Sequence, residues 1–326
     1  MKRILCILII SVITLSSCTV RYESDTYFAL DTFIAVNLPE NTDCDIYGYI
    51  KSLESTISKT DPSSEITGIN NNISYTVSDG VKELLILANG VSEKTDGAFD
   101  ITCGAISSLW DFKSDSPMLP EASSIDAALK NVGYNGIAVI DNTVKKSSND
   151  IKIDLGGIGK GYIAEKCVEY LHENGVTSGY LNLGGNIAVV GLKENKDGWS
   201  VALRDPMDSD GTIGKTVMKS GFLSVSGDYE RYFEYDGKKY HHIIDPKTGY
   251  PVFNELSSVA VFCENGALAD ALSTALFVMG YEKSMKLYAE DFYTFEAIFI
   301  TKTGYIYTTD GIKDNFELTS ENYIMK

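Results

Sequence analysis

Ile151-Lys152-Ile153-Asp154-Leu155-Gly156-Gly157-Ile158-Gly159-Lys160-Gly161-Tyr162-Ile163 decides the reading of this 326-residue chain. The alternating apolar residues 151–155 predict a strand, Gly156 to Gly161 a turn, and Ile163, Cys167, Tyr170 and Leu171 one face of a following helix closed near Gly175. The glycine run partly matches two phosphate-binding motifs. A Walker A loop fails, because Lys160 is followed by glycine and Asp154 stands where the first glycine belongs. A dinucleotide fingerprint is weak, because the next strand, Gly179 to Leu183, ends without an acidic residue to hold a ribose. General physics remains: glycines let a backbone approach a ligand, and a helix N-terminus beside Lys160 favours an anion such as a pyrophosphate.

Outward from this unit, residues 26–38 read as one opening strand, and Ile46, Ile50, Leu53 and Ile57 as a helix behind Asp43 as N-cap. Residues 61–72 read as a loop, and Val81, Leu84, Leu85, Ala88 and Val91 as a helix capped by Ser78. Beyond it, strands are expected at 187–191, 199–203, 222–225, 240–244 and 257–263. An apolar helix from about Gly266 to Met279 then stops at Gly280, before a shorter helix and two terminal strands. Strands in runs, with helices interspersed, predict an α+β fold.

A net charge of −17 without a basic patch argues against a nucleic-acid partner. At the N-terminus, Lys2 and Arg3 precede an apolar run, Ile4 to Leu15, too short for a permanent membrane span, so it reads as a signal peptide. The run ends in Leu15-Ser16-Ser17-Cys18, which resembles a bacterial lipobox and makes Cys18 the candidate lipidation site. The other reading is an ordinary secretory peptide with an incidental cysteine. The expected organisation is a leader over residues 1–18 and a single domain over 19–326. Cys44, Cys103, Cys167 and Cys263 are scattered without the spacing of a zinc site or a disulfide framework.

Two further constellations could carry chemistry. Asp270 and Thr274 lie four apart on an apolar helix and share a face, where oxygen ligands suit Mg²⁺; alternatively Asp270 serves the helix dipole and Thr274 its own backbone. His242-Ile243-Ile244-Asp245-Pro246-Lys247-Thr248-Gly249 sets a histidine at a strand end before a Pro-Gly turn. Strand alternation sends one of His241 and His242 towards the core or a cleft and the other to solvent.

Eight segments in order resemble the ApbE family of FAD:protein FMN transferases: 28–33, 61–66, 95–100, 153–161, 182–185, 226–231, 242–249 and 269–274. The resemblance implies a T-fold-like α+β architecture and an exported enzyme. Such an enzyme cleaves the FAD pyrophosphate and passes FMN to a threonine of acceptor subunits in membrane redox complexes, releasing AMP. It also implies FAD contacts at Leu30, Thr60, Ala98, Phe99, Asp100, Asp154, Lys160 and Ile244. Mg²⁺ would be held by the Gly157 carbonyl, the Asp270 carboxylate, the Thr274 hydroxyl and Ser273. His242 is the candidate for proton transfer, with Asp154 as alternative base. Leu30 and Thr60 depart from the family's frequent methionine and flavin-stacking tyrosine. Loss of the aromatic opens the reading of an FAD pyrophosphatase giving FMN and AMP, and a flavin-binding lipoprotein without chemistry is the alternative outside enzymes.

Overall fold

A computed structural model describes residues 20–112, 114, 117–193 and 195–326, so Cys18 lies outside the described residues. Its centre is a nine-stranded sheet whose strands are adjacent in the order in which the chain meets them: Tyr22–Ala29, Thr32–Pro39, Gly179–Asn182, Asn186–Gly191, Gly221–Gly227, Leu256–Cys263, Glu296–Thr301, Tyr305–Thr308 and Ile324–Met325. All neighbours are antiparallel except the last pair. Leu181, Ala188, Phe222, Val259 and Phe299 belong to a core under the helices, whereas Val189, Leu223, Ala260 and Ile298 belong to a second core under a three-stranded sheet. Side-chain alternation along each strand feeds both. That small sheet contains Trp199–Arg204, Thr212–Met218 and Phe316–Leu318. The fold is therefore α+β, as the distribution of strands and helices predicts. No helix among the described residues is long and apolar enough to cross a membrane.

Helix Gly266–Met279 has the bounds expected from its sequence, and Ser78 caps helix Asp79–Lys94 by accepting from the Val81 N–H. Elsewhere local chemistry overrides the pattern. The opening strand is a hairpin, because Leu30 and Asp31 both take positive φ, 55° and 58°, and turn the chain in two residues. Asp45, not Asp43, caps helix Ile46–Ile57 by accepting from the Gly48 N–H. The predicted loop 61–72 contains helix Glu65–Asn70, capped by Ser64. Residues 151–155 form no strand, since only Lys152 pairs, in a single bridge with Cys103. The helix after the glycine run starts inside it, spanning Gly159–Glu173, with Gly175 in the positive-φ position just past its Asn174 cap. The strand expected over 240–244 is Lys238–His241, which leaves His242 just outside it.

Candidate functional site

Two helices meet where the site lies. Gly161 of helix Gly159–Glu173 packs on helix Gly266–Met279 so closely that a Cβ there would sit 2.1 Å from the Gly266 carbonyl oxygen and 2.6 Å from Asp270 Cβ. Glu165, one turn on, accepts from the Gly266 and Ala267 N–H groups at 3.0 and 3.1 Å and from Asn265 Nδ2 at 3.0 Å, fixing one helix start against the other. Burial pushes the Glu165 carboxyl above its ordinary value, against the pull of these backbone donors. Gly161→Ala is expected to cost about 1–3 kcal/mol, because the new methyl meets backbone that cannot step aside. Denaturant melts of the variant check this, and an unchanged midpoint would refute so tight a contact.

The predicted cation ligands converge at this junction. Asp270 is buried, and its two carboxylate oxygens accept from the Gly161 N–H at 2.9 Å and Ser224 Oγ at 3.0 Å. Ser226 Oγ lies 2.8 Å from Ser273 Oγ and 3.3 Å from Thr274 Oγ1. A Cβ on Gly157 would lie 3.2 Å from Thr274 Oγ1 and 3.3 Å from Phe99, so the glycine turn and the Asp270-Thr274 face are one place. A side chain at 157 would require Thr274 and Phe99 to give way by a few tenths of an ångström. Asp270 spends two of its roughly four lone-pair sites on Gly161 and Ser224, which leaves sites for a cation. All donors around it are hard oxygens with a single negative charge, which fits a Mg²⁺ completed by substrate phosphates. Among the described residues no three His, Cys, Asp or Glu side chains gather as a self-sufficient metal cage.

Lys160 reaches from the same turn, its Nζ 3.1 Å from the Gly184 carbonyl. His242 stands near it, with its backbone N–H donating to the Arg231 carbonyl at 3.0 Å and its Nδ1 buried without a hydrogen-bond partner among the described residues. Burial, then the positive charge of Arg231 and the proximity of His241 and Lys160, push the imidazole down to about 3, so it is neutral at working pH. His242 is thus half-buried rather than solvent-facing. His241 is the core member of the pair: its Nε2 donates to the Val252 carbonyl at 2.7 Å and its ring packs edge-on to Phe277.

Asp154 sits in an ion pair. Its Oδ2 accepts from Lys59 Nζ at 2.7 Å and Ser107 Oγ at 2.5 Å, and its Oδ1 from the Gly156 N–H at 2.9 Å. Burial raises the carboxyl, but the Lys59 charge and these three donors outweigh it and hold the group below the ordinary carboxylate range. Asp100 is buried with Oδ1 accepting from the Thr102 N–H and hydroxyl, and burial lifts its carboxyl. Phe99 is buried beside Gly157. Ala98 lines a cavity of about 310 Å³ together with Asp245 and Lys247. Ile244 pairs with Pro251 across the Pro-Gly turn. Leu30 is held at the hairpin turn by its N–H donating to Glu54 Oε1 at 2.9 Å, and the turn reaches the site through Arg231 Nη2, which donates to the Asp31 carbonyl at 3.3 Å. Thr60 is exposed, its hydroxyl 3.2 Å from Ser58 Oγ.

Sequence reasoning assigned no role to Lys59, Ser107, Ser224 or Glu165. For Ser224 and Ser226 a signal existed, since two hydroxyls spaced by two on an apolar strand point to one face.

Together these features define an α+β protein in which a glycine turn at a helix N-terminus, carrying Lys160, meets a cluster of side-chain oxygens. The chain belongs to the ApbE family, whose profile matches residues 19–299. It is 34% identical over 251 residues to the FAD:protein FMN transferase of Treponema pallidum, covering 72% of this chain and 69% of that one. To a Klebsiella pneumoniae FAD:protein FMN transferase it is 34% identical over 265 residues, 79% and 81% of the two chains. The crystal structure of the ApbE protein from Thermotoga maritima superposes with a TM-score of 0.82 at 32% identity, over 90% of this chain and 99% of that one.

Proposed function

We propose that this protein is an FAD:protein FMN transferase that joins FMN through a phosphoester to a threonine of an acceptor protein and releases AMP. The observation that carries the reading is the meeting of the glycine turn with the Asp270-Thr274 face, with Lys160 and the unpartnered His242 nitrogen close by. In the transfer, the threonine oxygen forms a bond to the FMN phosphorus, the bond from that phosphorus to the AMP phosphate oxygen breaks, and the hydroxyl proton passes to His242 Nδ1. A neutral imidazole with an unpartnered ring nitrogen is free to accept that proton, and the anionic pyrophosphate bound beside it raises its basicity. Asp154, its carboxylate already engaged by Lys59, is the alternative base. Bound to the Asp270 carboxylate, the Thr274 hydroxyl, Ser273 and the Gly157 carbonyl, Mg²⁺ would supply charge neutralisation for the pyrophosphate. Lys160 adds a positive charge from the helix N-terminus, and the FAD contacts at Leu30, Thr60, Ala98, Phe99, Asp100, Asp154 and Ile244 hold the substrate in line.

The decisive assay mixes the protein with FAD, Mg²⁺ and an acceptor carrying a threonine. Fluorescent flavin on the acceptor band of a denaturing gel, with AMP in equal amount, is the expected result, and the absence of AMP would leave a binder. The exposed, non-aromatic Thr60 favours a second outcome, hydrolysis to free FMN, because a loosely held flavin admits water. Thr60→Tyr is expected to move the ratio towards transfer by restoring a stacking surface; an unchanged ratio excludes position 60 as its cause.

The acceptor we propose is a flavoprotein subunit of a membrane redox complex, met outside the cytoplasm by an enzyme anchored through lipid on Cys18, with residues 19–326 as one domain. Cys18→Ala is expected to remove the acylation point and release or misprocess the protein, read by membrane fractionation and mature size. A variant that stays in the membrane at the wild-type size refutes the anchor.

A further inference from the structure

Buried side-chain amides without a partner are rare in folded proteins, because the desolvation they suffer is not offset. Asn186 is such a case: it is 3% exposed, and its Nδ2 has no hydrogen-bond partner among the described residues. Strand register fixes where it points. Asn186 is directly opposite Ser224, and opposite residues of an antiparallel pair share a face. Ser224 Oγ donates to Asp270 Oδ1, so that face is the one covered by helix Gly266–Met279. Two residues before Asn186, the Gly184 carbonyl accepts from Lys160 Nζ. The unsatisfied donor therefore lies on the sheet face beneath helix Gly266–Met279, beside the serine that bonds Asp270 and two residues along the chain from the carbonyl that accepts from Lys160.

We infer that Asn186 is a substrate-binding residue whose Nδ2 donates to a pyrophosphate oxygen of the dinucleotide, working beside Lys160. This rests on the FAD reading above. A phosphoryl oxygen accepts without donating, which matches an N–H₂ group that has no acceptor, and a neutral amide adds a directed contact without adding charge.

Asn186→Leu, with the same branched skeleton but no donor, and Asn186→Ser, which keeps a shorter one, are compared with wild type. Binding of FAD and of inorganic pyrophosphate is measured by titration with Mg²⁺, turnover by AMP release, and folding by thermal melting. Expected is a loss of about tenfold or more in affinity for both ligands in the leucine variant, with partial recovery in the serine variant. The melting temperature without ligand should not fall, since removing an unsatisfied donor relieves the apo fold. Pyrophosphate and FAD affinities within twofold of wild type overturn the inference, as does a fall in melting temperature with ligand affinity retained. If wild type itself binds neither ligand and releases no AMP, the FAD reading is what fails, and the inference falls with it.

Discussion

Asp270→Ala is expected to abolish Mg²⁺-dependent release of AMP from FAD, with a loss on the order of 10³-fold or more, since a Lewis-acidic cation supplies several kcal/mol to such a reaction. Asp270 is the sole charged ligand in the proposed set, and its neighbours there offer only hydroxyl and carbonyl oxygens. The alanine variant also strands the Gly161 N–H and Ser224 Oγ, which the carboxylate satisfies, at about 1–3 kcal/mol for a buried group left without a partner. Asp270→Asn separates the two effects, because its side-chain oxygen still accepts one hydrogen bond while the charge is gone. Activity should be lost in both variants and stability mainly in the first. Thr274→Val keeps the shape and removes the hydroxyl, and should cost less, because water can take one cation position. Wild-type turnover in Asp270→Asn, measured over a Mg²⁺ titration, would remove the cation from this junction.

Most of the helical frame was legible because its signals are local. Asn265 and Ser78 cap helices through contacts within three residues, and Gly280 ends a helix whose apolar run stops there. Strand signals were less secure where the chain turns by other means. Residues 26–38 are mostly β-branched or apolar with only partial alternation, and the turn carries Leu30-Asp31 in place of an Asn-Gly or Asp-Gly pair, so the hairpin was hidden. Ile151 to Leu155 alternates like a strand, yet Ile153 is engaged by Asn70 instead: the Asn70 oxygen accepts from the Ile153 N–H at 2.7 Å and its amide donates to the Ile153 carbonyl at 2.8 Å. A side chain 83 positions away supplying both backbone partners leaves no trace in a local window. The site divides in the same way. Asp270, Thr274 and the glycine turn stood out one by one, but their meeting depends on Gly161 against Gly266, and the Lys59 partner of Asp154 comes from a loop 95 residues earlier.

His242→Asn is expected to lower turnover by about 10²–10⁴-fold while changing FAD affinity far less, because the ring nitrogen would act on the hydroxyl proton and not on the bound dinucleotide. His241→Asn should instead cost stability, since His241 bridges the Ile243 N–H and the Val252 carbonyl in the core. The pH profile is a second signature. With its imidazole pushed down to about 3, His242 is already in its base form throughout the neutral and mildly acidic range. The acid limb of kcat/KM, which reports the free enzyme, should show no midpoint near 6.5. In kcat the midpoint should lie higher than in kcat/KM, because a bound pyrophosphate is an anion beside the ring. Folding stability carries the same sign. Below about pH 6.5 the unfolded chain takes up a proton on this histidine that the folded chain refuses, so wild type loses up to about 1.4 kcal/mol per pH unit from this group as pH falls towards 3. His242→Asn lacks that term, and the gap between its stability and that of wild type should shift in its favour between pH 7 and pH 4.5. A parallel decline in the two proteins, together with a kcat/KM midpoint near 6.5, would mean that His242 is solvated in the working enzyme and that its buried nitrogen is not the base.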